Sequence, residues 1–145
     1  MPIFNELARS DNSNVQVDHM WPKSLLMSKK AVRKEYPTVT DEEIESFKSM
    51  CNELPNLQLL STRDNQDKAD ICYGEWLDTH YPEEKKPERD NYILSHFVPT
   101  NVTYEFSKFA DFFQARRALL ESKIKEAFPS DYEIIVQMNN LSDKV

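Results

Sequence analysis

The sequence predicts a mostly helical α+β fold, with a small strand–strand–helix core and a long amphipathic helix toward the C-terminus. Three observations lead there. Asn14–His19 alternates Val15 and Val17 with Gln16 and Asp18, the period-two pattern of a strand. Leu57–Leu60 is a short apolar run between Pro55-Asn56 and Ser61–Asp64, a second strand bounded by turn residues. Ser107–Phe128 repeats Phe109, Phe112, Phe113, Leu119, Leu120, Ile124 and Phe128 at helical spacing before Pro129.

The remaining elements fill in between. Asn14 opens the first strand and Pro22 stops it, because proline has no amide hydrogen for a ladder. Leu25–Tyr36 reads as one short basic helix, separated by Pro37 from a second that begins at Thr40. Thr40 and Glu43 form a capping box ahead of Ile44, Phe47, Met50 and Cys51. After the second strand, Asp64 is the expected N-cap of a single helix whose stripe runs through Asn65, Ala69, Cys72, Tyr73, Trp76 and His80. Tyr81–Asp90 reads as a charged, proline-containing loop, Asn91–Phe97 as a short helix, Asp131–Met138 as an edge strand, and Asn139–Val145 as a frayed end. The expected organisation is a single domain over residues 1–145, with a core at about 15–80, a helical insertion at 25–54 and a helical extension at 81–145.

Composition narrows the function classes. Hydrophobic residues are 39 % and charged residues 30 %, with a single glycine, which suits a helix-rich globular chain. The apolar runs fall short of the roughly 18 residues a bilayer span needs, and Met1–Ser10 lacks the blocks of a secretory signal. A cytoplasmic protein without membrane association is the expectation. Cys51 and Cys72, with no CxxC pair, supply neither a thiolate zinc site nor a disulfide framework. The net charge of −7 opposes unassisted nucleic-acid binding, although Lys23, Lys29, Lys30, Arg33 and Lys34 gather locally.

The chemistry-bearing residues lie at the junctions. Asp18 and His19 end the first strand, and Asn65 stands at the head of the helix stripe, which should turn it toward that strand end. A carboxylate and a carboxamide oxygen are hard ligands for Mg²⁺, which keeps water and substrate oxygens in its other positions. An imidazole with an ordinary pKa of about 6.5 accepts a proton from water near neutrality. That set suits metal-assisted hydrolysis of a phosphodiester. Lys68, one turn after Asn65, and Lys23 are the candidate phosphate contacts. Trp21, Trp76, His80, His96 and the phenylalanines are expected in structural roles.

The run Val17-Asp18-His19-Met20-Trp21-Pro22-Lys23-Ser24 resembles the first motif of HNH (ββα-metal) endonucleases. Asn56 and Asn65, nine residues apart, resemble its second and third positions, and the lysine three residues later matches the layout in the HNH domain of the CRISPR effector nuclease. The chain departs from many HNH enzymes in lacking zinc-binding cysteines and in carrying Asn65 where they carry histidine. The resemblance implies that Asp18 and Asn65 bind the metal, that His19 is the general base, and that Asn56 braces the loop holding His19. It implies a nuclease using Mg²⁺ or Mn²⁺, acting on DNA, of the kind found in bacterial restriction and phage-defence proteins. Beyond residue 80 it extends only to a helix bearing an arginine such as Arg116 or Arg117. The alternative is a binding or assembly subunit of a larger defence complex, inactive without a protein partner, and its motivation is the acidity of the chain.

Overall fold

The computed structural model describes residues 15–142; Asn14 of the expected first strand and residues 143–145 of the expected frayed end lie outside the described residues. The fold is α+β and mostly helical. Strand β1 is Val15–His19, followed by short helices α1 (Lys23–Leu26) and α2 (Lys29–Glu35) and the longer α3 (Asp41–Met50). Strand β2 is Leu57–Ser61, and α4 (Thr62–Lys68), α5 (Tyr73–His80) and α6 (Lys86–Ser95) follow. Helix α7 is Phe109–Ala127 and α8 is Pro129–Ser142.

The two strands pair antiparallel with Val15 opposite Ser61 and His19 opposite Leu57. Successive side chains point to opposite faces, so Gln16 and Asp18 share one face with Gln58 and Leu60, and Val15, Val17 and His19 share the other. The covered face is the polar one. Asp18, Gln58 and Leu60 are buried, whereas Val17 is 62 % exposed.

The capping box forms as the sequence predicts: Glu43 N–H donates to Thr40 Oγ1 and Thr40 N–H to Glu43 Oε2. Ile44, Phe47 and Met50 on its helix are buried. The expected basic helix over Leu25–Tyr36 is instead two, because Ser28 adopts an extended conformation and its hydroxyl accepts from Ala31 N–H to start α2.

The expected single helix from Asp64 to His80 also divides. Ser61, not Asp64, is the N-cap, its hydroxyl accepting from Asp64 N–H, so helix begins three residues early. It stops at Ala69, whose φ of 44° and ψ of −130° lie outside helical space. Ile71 N–H bonds back to the Lys68 carbonyl across this turn. Gly74 follows in α5, where an added Cβ would meet Tyr104 Cβ and carbonyl oxygen at 3.1 Å.

Two further expectations are corrected. Most of the loop expected at Tyr81–Asp90 is structured, as a 3₁₀ turn at Glu83–Lys85 and the first half of α6. Pro87 sits in the first turn of that helix, where a fixed φ and a missing N–H cost nothing. The edge strand expected at Asp131–Met138 is helical within α8, which includes Asn139–Ser142 of the expected frayed end. Pro129 ends α7 and also begins α8, and the β preference of the residues beyond it is overridden.

The core is aromatic and centres on Trp21, which is fully buried. Its ring centroid lies 5.3 Å from Phe109, 5.5 Å from Phe112, 6.0 Å from Phe106 and 6.1 Å from Tyr73. Helix α7 thus packs on the segment that leaves β1. Burying each such ring stabilises by about 1.5–3 kcal/mol. Among the described residues no helix is long and apolar enough to cross a membrane.

Candidate active site

The site is organised by the direction of α4. Because β2 ends at Ser61, opposite Val15, the helix that follows starts beside the beginning of β1. It then runs along the polar face toward His19. Asn65 reaches β1 first, donating from Nδ2 to Gln16 Oε1 at 2.7 Å. Lys68, one turn later, reaches the strand end.

Asn65 therefore lies on the same face as Asp18 but bonds the residue two positions earlier, about 7 Å back along the strand. The sequence places it at the strand end itself; the helix starting at Thr62 sets it back by one face repeat. Its Nδ2 is engaged by Gln16, and Asn65 Oδ1 lies outside that bond.

Asp18 is buried and tied on one oxygen. Gln58 Nε2 donates to Asp18 Oδ2 at 2.9 Å, and Lys68 Nζ lies 3.3 Å from the same atom. Lys68 Nζ also donates to the His19 carbonyl at 2.7 Å. Lys68 is fully buried with its ammonium turned to Asp18 and the His19 carbonyl, so it is neither the phosphate contact nor the solvated lysine that the sequence offers. Burial pushes its pKa down, and the Asp18 carboxylate pulls it back up in part.

Behind Gln58 stands a directed chain of hydroxyls. Tyr92 OH donates to Gln58 Oε1 at 2.6 Å, and the Tyr73 and Tyr92 hydroxyls are 3.0 Å apart. Burial raises the pKa of both phenols well above the ordinary value, so both stay protonated and able to donate. The carboxylate of Asp18 thus terminates a buried network that fixes its orientation.

Asn56 is fully buried and grips the chain just beyond His19. Its Oδ1 accepts from Trp21 N–H at 2.9 Å, and its Nδ2 donates to the carbonyls of Trp21 and Cys51 at 3.0 and 2.9 Å. Its own carbonyl accepts from Met20 N–H at 2.8 Å. These bonds pin the turn between β1 and α1.

Arg116 braces the same region from α7. It is buried and donates to the carbonyls of Leu54, Pro55, Leu57 and His96 at 2.7–3.2 Å. The residues on both sides of Asn56 are therefore held by one guanidinium. Burial lowers its pKa, offset in part by the buried tyrosines.

His19 is half-buried, and its Nε2 lies 2.8 Å from Asn52 Oδ1. Lys23 is exposed at the start of α1. In the neighbouring basic cluster Lys29 and Arg33 both contact Asp41, at 3.0 and 2.7 Å, which leaves less of its charge for a polyanion.

Among the described residues no three His, Cys, Asp or Glu side chains converge as a metal-ligating group. The candidate ligands are one carboxylate oxygen, Asp18 Oδ1, and one amide oxygen, Asn65 Oδ1. A hard cation that retains water accepts such a sparse set. A groove of about 860 Å³ between α6 and α7 is lined by Ile93, Leu94, Val98 and Leu119 and includes none of these residues.

Gln16, Gln58, Tyr92 and Arg116 are absent from the sequence-based set. Gln58 had a signal, as the one polar residue within Leu57–Leu60. Tyr92 had none, since it sits at core spacing on its helix, and for Arg116 the signal was the family resemblance, which did not separate it from Arg117. No protein-family model matches the chain, and no curated protein matches it.

Proposed function

We propose that the protein is a divalent-metal-dependent endonuclease that hydrolyses phosphodiester bonds in nucleic acid, with DNA the favoured substrate. The observation that carries this reading is the Asn56 clamp: an amide 35 residues away holds both backbone groups of Trp21, two residues after His19. A buried polar side chain satisfied entirely by backbone is a device for fixing a turn, and here the turn presents an Asp-His pair.

Asp18 and Asn65 would hold Mg²⁺ or Mn²⁺ through their Oδ1 atoms, with Asp18 oriented by Gln58 and Lys68. When bound, the cation supplies Lewis-acid stabilisation of the phosphate charge. His19 takes a proton from the attacking water as its oxygen bonds to phosphorus. The bond to the leaving sugar oxygen breaks, and that oxygen takes a proton from solvent. Lys23, exposed after the clamped turn, would meet the backbone of the substrate.

The test is plasmid nicking by the purified chain with Mg²⁺ or Mn²⁺. Cleavage should vanish with chelator and in His19→Ala, and undiminished cutting by that variant would sink the assignment.

The net charge of −7 and the exposure of Leu94, at 76 %, favour a second reading, a subunit that needs a protein partner to engage nucleic acid. Tight, salt-sensitive DNA binding by the isolated chain would count against it.

A further inference from the structure

We infer that Asn52 is a positioning residue that fixes which nitrogen of His19 is basic, an assignment that rests on the nuclease reading for its functional meaning. The backbone around His19 is already held. Lys68 Nζ bonds its carbonyl at 2.7 Å, and Met20 N–H, the next amide, bonds the Asn56 carbonyl at 2.8 Å. What remains free is rotation of the imidazole about its own side-chain bonds.

Asn52 removes that freedom. It stands in the turn after α3, 33 residues along the chain, and places Oδ1 at 2.8 Å from His19 Nε2. An amide oxygen only accepts, so the ring nitrogen facing it carries the hydrogen. A neutral imidazole has one N–H; Nδ1 therefore keeps its lone pair and is the atom that takes a proton from water. The helical insertion between the strands thus contributes to the site directly.

Asn52 is exposed, and its replacement leaves the core untouched. The histidine nitrogens are read by ¹⁵N NMR at about pH 8. Wild type should show His19 protonated at Nε2. Asn52→Ala should give averaged shifts from both tautomers, and Asn52→Asp, which keeps an acceptor, should restore the wild-type pattern. In nicking assays Asn52→Ala should lower kcat ~10-fold with KM unchanged, and Asn52→Asp should recover most of it.

A wild-type spectrum with the hydrogen on Nδ1, as would follow from Asn52 Nδ2 facing the ring, overturns the inference. So does an Asn52→Ala spectrum identical to wild type. The NMR arm requires no cleavage: a chain with the expected spectra that never cuts DNA contradicts the nuclease reading and leaves the tautomer assignment in place.

Discussion

Asp18 and Gln58 stand directly opposite each other in the two-stranded ladder, and the Gln58 amide donates to Asp18 Oδ2 over 2.9 Å. Gln58 also accepts from Tyr92, so it links the carboxylate to the tyrosine pair. Gln58→Leu removes both partners at a buried position. Urea unfolding should show a loss of about 1–3 kcal/mol, the cost of leaving a buried polar group unsatisfied.

Lys68 and Asp18 form a buried ion pair at 3.3 Å. Lys68→Met leaves a carboxylate in the interior with Gln58 as its remaining partner and should destabilise the fold by about 3–5 kcal/mol. Adding Asp18→Asn removes the stranded charge, so the double variant should be more stable than Lys68→Met alone. Simple additivity in that double-mutant cycle would show that the pair is not coupled.

Ala69 holds φ at 44° in the turn between α4 and α5, a backbone state that a Cβ disfavours. Ala69→Gly should therefore stabilise by about 1 kcal/mol, and a β-branched residue there should destabilise. A lower unfolding midpoint for the glycine variant would contradict this strain argument.

That turn also marks where sequence reading stopped. The spacing of Ala69, Cys72, Tyr73, Trp76 and His80 is helical, and Ala69 is the best intrinsic helix former among them, so nothing local announced a break. The Thr40-Glu43 box was legible because its signal is local. So were the strands, although alternation could not say which face is covered; the buried polar face follows from Lys68 and Gln58 pairing with Asp18 across the molecule. Asn65, Asp18 and His19 were legible as types in a pattern. The offset of Asn65 toward Gln16 depends on where α4 begins, which turns on one serine cap.

Arg116 answers four backbone carbonyls with a single side chain. Arg116→Met should cost at least about 2 kcal/mol in urea unfolding, because several buried acceptors lose a charged donor. Arg116→Lys should recover little, since a single ammonium lacks the planar fork that spans them. On the nuclease reading, nicking should fall in both variants as the Asn56 turn loosens.

His96 is half-buried, with its ring nitrogens near the carbonyls of Leu59 and Tyr92, and burial lowers its pKa below the ordinary histidine value. Above about pH 6.5 the ring is neutral folded or unfolded, and no stability difference arises from protonation. As pH falls below that value the unfolded chain takes up the proton first, so folding stability should decline until the folded-state pKa is passed. His96→Gln should flatten this part of the stability-against-pH curve measured by urea unfolding.

The bonds from Arg116 to Leu54, Pro55 and Leu57 cross about sixty positions of chain. A polypeptide emerging from the ribosome exposes both strands well before the residue that steadies them. The chain around Asn56 is consequently steadied late in translation, and a nascent chain halted between the second strand and α7 carries Asp18 and His19 without the guanidinium that braces their surroundings.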